Sequence, residues 1–471
     1  MVTVNVRNTH VVILGGGPGG YEAALVAAHL GGRVTLVEST GIGGAAVLTD
    51  CVPSKALIST ADYLSEFETA HDLGVHLTDH EGDEVVNAEA ELAEVNRRVL
   101  ALAKAQSVDI SSRLAEVGVR IVDGWGRMVS ATQVQVELAA GGREDLTADV
   151  VLLATGATPR VMASAQPDGE RILTWQQIYG LRTLPEHLIV VGSGVTGAEL
   201  AQAYLGLGAA VTLVSSREHV LPSGDQDAAK VIEAVFLRRG MTVLSQARMT
   251  AVERTEDGVV IHLEDGRTVT GSHALLAVGA VPLTQGIGLE DIGVELSSSG
   301  HIVVDRVSRT SVRGVYAAGD CTGVFPLASV AAQQGRIAMS HALGDAVAPL
   351  PLHYVSSNIF TDPEIASVGV SQADIDSGRV RADVITLPLG RNARAKMLGI
   401  ADGFVKLFAH RGSGLVLGGV VVAPRASELI FPVTLAVTHR LNVDQLASTF
   451  TVYPSLSGSI AEAARRLHVT D

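Results

Sequence analysis

Cysteine is scarce in this chain: only Cys51 and Cys321 occur in 471 residues. Two thiols at this length make no disulfide scaffold, and the usage fits a reducing cytoplasm, which is the expected location. A basic tract is lacking as well. The formal net charge is −15 and the pI about 5.4, which argues against nucleic acid as a partner. Long apolar runs are missing. Residues 11–20 end in glycines, and 415–423 are interrupted by Gly418 and Gly419, so the second reads as a buried strand and no membrane span is expected. Residues 1–7 contain no basic region leading into an apolar core, so no secretory leader is expected. The 15 histidines show no metal-ligand spacing and no GxSxG segment occurs, so neither a metal site nor a serine triad is expected. What remains is a chain long enough for two or three domains. Its 47% hydrophobic and 18% charged residues suit a globular protein, and 50 glycines suggest many tight turns and close ligand approaches.

One pattern occurs twice. Residues 11–14 are a short apolar run, as expected of a buried parallel strand. Gly15-Gly16-Gly17-Pro18-Gly19-Gly20 follows, then an Ala-rich helical stretch over 22–30 and a second strand over 34–37, ending at Glu38. Residues 188–191, Gly192-Ser193-Gly194-Val195-Thr196-Gly197, a helical stretch over 198–207 and a strand over 211–214 repeat the order, ending at Ser215. Each is a βαβ unit with the spacing G-x-G-x-x-G. Glycine at Gly15, Gly17 and Gly20, and at Gly192, Gly194 and Gly197, lets the backbone approach a pyrophosphate. The following helix aims its N-terminal amides at that anion. Glu38 is expected to hydrogen-bond ribose hydroxyls and to repel a 2′-phosphate, so the first unit suits FAD or NAD rather than NADP. Ser215 removes the repelling carboxylate from the second unit, and Arg217 is placed to pair with a 2′-phosphate, although a solvated loop arginine reads the same way. NADPH is therefore expected as a substrate beside NADH.

Three further apolar strands end at glycine: Thr155-Gly156, Gly279 and Gly319-Asp320 close them. The chain order is thus a dinucleotide unit, an inserted dinucleotide unit and a return to the first. From about residue 350 strands and then helices alternate, which reads as a separate α+β domain.

Gly43-Gly44-Ala45-Ala46-Val47-Leu48-Thr49-Asp50-Cys51-Val52-Pro53-Ser54-Lys55 resembles the Gly-Gly-x-Cys-x4-Cys-x-Pro-Ser-Lys segment of the pyridine nucleotide–disulfide oxidoreductases. Those flavoenzymes keep two cysteines there, as a disulfide against the flavin. Here Ala46 stands in the first position and only Cys51 remains. Near the C-terminus Tyr453-Pro454-Ser455-Leu456-Ser457-Gly458 resembles the family's His-Pro-Thr-x-x-Glu, which the partner subunit donates as a general acid/base held by its Glu. Tyr453 replaces that His and Gly458 that Glu. A tyrosine, with pKa about 10, is a poor base at neutral pH. The segments Gly-Gly-Ala-Ala-Val-Leu and Tyr-Pro-Ser-Leu-Ser-Gly-Ser look like those of the actinobacterial NAD(P)H–quinone reductase branch of the lipoamide dehydrogenase-like enzymes.

The resemblance implies an α/β protein with two Rossmann-like dinucleotide-binding domains and a C-terminal α+β dimerisation domain. Residues 1–160 and 287–349 would hold FAD, 161–286 would hold NAD(P), and 350–471 would form the interface of a homodimer. It further implies flavin contacts at Lys55, Thr155, Gly156 and Asp320, a Glu199 facing the nicotinamide, and cofactor contacts at Gly44, Gly279 and Ala328. Lys55 would favour the anionic reduced flavin. Solvated-helix, helix-terminus and strand-end readings of Lys55, Glu199 and Asp320 stay open. Cys51 reads as a charge-transfer donor, a peroxide-reactive thiol or a small buried hydrophobe, and Cys321 as a core residue. The implied activity is ping-pong: NAD(P)H reduces FAD, and a quinone takes the electrons directly, with Tyr453 bonding or stacking on it. The rival readings are a soluble pyridine nucleotide transhydrogenase and an idle, redox-sensing flavoprotein.

Overall fold

The computed structural model describes residues 9–68, 70–76, 78 and 88–468; the seven N-terminal residues read above lie outside them. Three sheets organise the chain. The first has seven strands in the order Val315–Ala317, Val150–Leu153, His10–Leu14, Arg33–Glu38, Arg120–Ser130, Gln133–Leu138 and Arg143–Thr147. Its first five strands run parallel, and the last two add an antiparallel meander. The second sheet is parallel throughout, in the order Thr242–Leu244, Ala210–Val214, His187–Val191, His273–Leu276 and Ile172–Thr174. The third is antiparallel, in the order Ser356–Ile359, Glu364–Gly369, Val416–Ala423, Phe404–His410 and Ala382–Pro388. The apolar run at 415–423 is the central strand of that third sheet.

Helices follow the strands as the sequence pattern expects. They are α1 (Pro18–His29), α2 (Gly44–Leu48), α3 (Cys51–Glu68), α4 (Leu92–Glu116), α5 (Val195–Gly206), α6 (Gln226–Arg238) and α7 (Ala328–Ala342). Both dinucleotide-unit helices begin earlier than expected, at Pro18 rather than residue 22 and at Val195 rather than 198. Proline and glycine are tolerated in a first helical turn, where the amides have no intrahelical partner anyway.

Continuous burial explains the apolar strands. Val11, Val12, Ile13 and Leu14 are at most 2% exposed, as are Leu188, Ile189 and Val190. Each such side chain removed from water contributes about 1.5–3 kcal/mol. The chain passes between the two parallel sheets twice, and the crossings Ala157–Pro159 and Ala280–Pro282 pair antiparallel. Val315–Ala317 then adds to the first sheet beside Val150–Leu153. No helix of the described residues is long and apolar enough to cross a membrane.

The third sheet is clamped to the second unit. Lys406, 1% exposed, donates from Nζ to both Asp225 carboxylate oxygens at 2.9 and 2.8 Å and to Asp227 at 2.7 Å. Gln202 on α5 exchanges hydrogen bonds with the backbone of Asp362, at 2.7 and 2.9 Å. Arg239 pairs with the Asp362 carboxylate at 2.5 Å.

Candidate active site

Both glycine loops are built alike. A Cβ on Gly15 would lie 2.2 Å from the Ala154 carbonyl oxygen, and one on Gly192 2.2 Å from that of Ala277. A Cβ on Gly20 or Gly197 would meet the carbonyl of its own loop, Gly15 or Gly192, at 1.8 Å. These four positions exclude any side chain because strand, turn and helix touch there. Around Gly156, Gly194 and Gly279 a Cβ would meet no protein atom within 4 Å, and beside Gly17 only the Gly44 Cα at 4.0 Å. Those positions border open space. The N-caps of α1 and α5, Gly17 and Gly194, bring no side-chain cap, so their first amides remain available to an anion.

The ends of the second strands differ. Glu38 Oε2 accepts from Gly16 N at 2.6 Å, and Oε1 accepts from Ser39 N, Thr40 N and Thr40 Oγ1 at 2.8, 2.6 and 2.7 Å. The carboxylate is thus pinned against the glycine loop. In the second unit the fully buried Ser215 hydroxyl bonds Ser193 Oγ at 2.7 Å and accepts from Arg217 N at 3.1 Å. The exposed Arg217 guanidinium has no carboxylate partner among the described residues. It borders an open cleft with His219, Pro222 and Gln226.

Between the loops lies the N-terminus of α3. Lys55 Nζ donates to Glu199 Oε2 at 2.8 Å, and Glu199 Oε1 accepts from Phe360 N at 2.8 Å. The ammonium also stands 4.9 Å from the Phe360 ring centroid. Burial works against the Lys55 charge, but the Glu199 carboxylate outweighs it and holds the pKa above its ordinary value. Neither the solvated-helix reading of Lys55 nor a purely helix-terminal role for Glu199 survives this: Glu199 is 3% exposed and ties α3 and the third domain to α5.

Cys51 is half-buried. Burial first, then the carboxylates of Asp50, Glu199 and Asp320, push its thiol up to about 12 against the opposing Lys55. The thiol therefore stays protonated, which disfavours the thiolate charge-transfer donor and the peroxide-reactive nucleophile. Cys321 is fully buried, its sulfur against the Leu153 and Ala318 carbonyls, as a core residue should be. Thr155 Oγ1 donates to Leu283 O at 2.7 Å. Asp320 opens a 3-10 turn after Val315–Ala317, accepts no side-chain hydrogen bond among the described residues, and is pushed up by burial against the opposing His301. Ala328 is the first residue of α7, whose N-cap Leu327 supplies no side-chain cap.

Tyr453 is not brought to these groups within one chain. It is 87% exposed, beside Val452 at 77% and a fully exposed Phe450. Gly458 starts the helix Gly458–Arg466, its amide on Ser455 Oγ at 3.1 Å. Sequence reasoning missed three participants. Phe360 lies near the start of the region that the sequence marked only as a separate α+β domain. Asp50 precedes Cys51. Tyr179, buried against Ser54, has its phenol pKa raised by that burial and by Asp50. Adjacency to Cys51 was the one available signal for Asp50.

Two open dinucleotide cradles joined through the ion pair of half-buried Lys55 with buried Glu199 define a two-nucleotide oxidoreductase of α/β fold. The chain belongs to the pyridine nucleotide-disulphide oxidoreductases, matching that family over residues 9–335 and its dimerisation domain over residues 355–464. Members use FAD and NAD(P)H. It is 54% identical over 472 residues to the NAD(P)H dehydrogenase (quinone) of Mycobacterium tuberculosis, covering 98% of this chain and 94% of that protein. The dihydrolipoyl dehydrogenase of Chlamydia pneumoniae is 32% identical, with 96% and 95% covered. The crystal structure of LpdA from Mycobacterium tuberculosis superposes with a TM-score of 0.92 at 53% identity, covering 98% of this chain and all of that one.

Proposed function

We propose that the chain is an FAD-dependent NAD(P)H dehydrogenase that delivers electrons to a quinone without a redox disulfide. One observation carries this reading: two complete dinucleotide cradles accompany a single free thiol, Cys51, at the place where the family keeps its disulfide. The name of the mycobacterial relative supports the acceptor.

The residues fit FAD in the first unit and NAD(P) in the second, divided as 1–160 with 287–349, and 161–286. Gly15, Gly17 and Gly20 cradle the FAD pyrophosphate over the α1 amides, and Glu38, already oriented by Gly16 N, takes the ribose hydroxyls. Gly44, Thr155, Gly156, Asp320 and the free amides at Ala328 line the rest of that cradle. Gly192, Gly194 and Gly197 would hold the nicotinamide cofactor, and Gly279 and Glu199 would border it. When bound, FAD accepts a hydride equivalent from NAD(P)H and passes on two electrons. Lys55, held charged by Glu199, offsets negative charge developing beside it. Cys51 contributes a small, neutral wall. With Ala46 in the first cysteine position, Cys51 cannot close an internal disulfide, so lipoamide reduction is not expected. Residues 350–471 pair with a second copy, which covers Phe450, Val452 and Tyr453 and brings Tyr453 to the partner's acceptor.

The test is stopped-flow reduction of the bound flavin by NADH and NADPH, then reoxidation by quinones, lipoamide, oxygen and an NAD analogue. Fast reoxidation by quinones with none by lipoamide is expected; efficient transfer to the NAD analogue without quinone turnover would indicate a transhydrogenase instead. Arg217→Glu should raise the KM for NADPH at least tenfold while changing that for NADH about twofold, one ion pair's worth of binding. Equal effects on both would remove Arg217 from 2′-phosphate recognition.

A further inference from the structure

Reducing a quinone to a hydroquinone consumes two electrons and two protons. The hydride equivalent of NAD(P)H supplies both electrons and one proton, so the site must find a second. The family's donor is absent here, since Tyr453 and Gly458 replace the His and Glu. We propose that Asp50 is the proton donor for the acceptor; this rests on the quinone reading above.

Geometry singles out Asp50. It occupies the turn between α2 and α3, directly before Cys51. Aspartate is common before a helix because its carboxylate accepts from the amides two or three residues on. That explanation fails here: the residue three on is Pro53, which has no N–H, and the Asp50 carboxylate accepts no hydrogen bond among the described residues, from Val52 included. The Asp50 side chain is half-buried, and the neighbouring Thr49 hydroxyl is buried without a partner. The charged groups acting on Asp50 come from three elements: Lys55 on α3, Glu199 on α5 and Asp320 after Val315–Ala317. Asp50 therefore feels charges from both units, in the segment that stands where the family keeps its disulfide.

The other acids nearby are committed or mute. Glu199 is taken by Lys55 and the Phe360 amide, and Lys55 holds its proton against Glu199. The Cys51 thiol is pushed up to about 12, and burial drives the Tyr179 phenol well above its ordinary value. For Asp50, burial outweighs Lys55, with Glu199 and Asp320 adding, and its carboxyl is pushed up to about 6. An acid poised near the working pH is the efficient proton donor. In the step, the Asp50 O–H bond breaks as an O–H bond forms on the reduced acceptor. The carboxylate left behind faces Lys55 and regains its proton from water.

The test compares acceptors in the holoenzyme. Ferricyanide takes electrons without protons. Asp50→Asn should slow quinone reduction at pH 7 about 100-fold and leave ferricyanide reduction within about twofold. Wild-type quinone turnover should fall as pH rises through about 6, with no such limb for ferricyanide. Independently of turnover, infrared titration should find a protonated-carboxyl band that disappears near the same pH in the wild type and is missing from Asp50→Asn. Unimpaired quinone reduction by the variant, an equal loss with both acceptors, or an unchanged infrared titration would each overturn the assignment. If Asp50→Asn fails to retain FAD, Asp50→Glu takes its place. It should keep quinone turnover with a displaced pH limb, and an undisplaced limb would overturn the proposal. A wild type that reduces ferricyanide but no quinone would overturn the proposed function instead, and this proposal with it.

Discussion

The two dinucleotide units are close copies down to single hydrogen bonds, and they part at two side-chain positions. Each opens on a strand histidine whose Nε2 meets a threonine hydroxyl on the next strand: His10 with Thr35 at 2.9 Å, His187 with Thr212 at 2.8 Å. Burial lowers the pKa of both histidines. Gly15 and Gly192 adopt φ of 106° and 110°, and α1 and α5 are each 12 residues long. Two residues after the third glycine both carry glutamate. Glu22 pairs with the exposed Arg336 on α7 at 2.9 Å, whereas the buried Glu199 pairs with Lys55. Glu38 presents a carboxylate where Ser215 presents a hydroxyl. The backbone frame therefore defines what can bind at all, and a few side chains at its rim decide which nucleotide binds and what it meets.

The heaviest blow to this comparison is the same lesion in each frame. Gly20→Ala and Gly197→Ala each place a methyl group 1.8 Å from a carbonyl oxygen. Gly20→Ala should lose FAD, read as the flavin-to-protein ratio. Gly197→Ala should keep FAD and lose at least about 100-fold in the rate of its reduction by NAD(P)H, the scale expected when a positioning element fails. FAD loss from both would mean that the frames are not independent.

Next is the clamp that only the second unit has. Lys406→Ala leaves Asp225 buried without its cation and should cost about 3–5 kcal/mol in denaturant unfolding. Lys406→Met, which fills the space but still leaves Asp225 uncompensated, should not recover that loss. Arg336→Ala, removing the exposed pair on the first unit, should cost less than about 1 kcal/mol.

The finest comparison is between the matched glutamates. Glu199→Gln should lower the Lys55 pKa by removing its dominant support, and should slow flavin reduction by about tenfold. Glu22→Gln should leave the rate within about twofold. A similar loss from both would make Glu199 a structural cap and nothing more.

Much of the frame was legible because its rules are local. Apolar runs bounded by glycine marked the strands, and the spacing G-x-G-x-x-G marked both loops, since a side chain there would strike the loop's own backbone. The helix starts were misplaced by three or four residues, because composition reads Pro18, Gly19 and Gly20 as breakers while a first turn tolerates them. The site was less legible. Glu199 was singled out, yet its two partners lie 144 and 161 residues away, beyond any pattern in one sequence. Asp50 was not singled out, because only partial burial and the company of Glu199 and Asp320 distinguish it.

By itself the sequence determined the two glycine frames, the carboxylate at Glu38 and its loss at Ser215, and the missing relay at Ala46, Tyr453 and Gly458. Each is a matter of which atoms the residue has. The tertiary structure alone decided their charge states and alliances: a protonated Cys51, a Lys55 held positive, an Asp50 raised into the working range. Those depend on desolvation and on charges a few ångströms apart in space, and only the packing of three domains around the head of α3 brings them together.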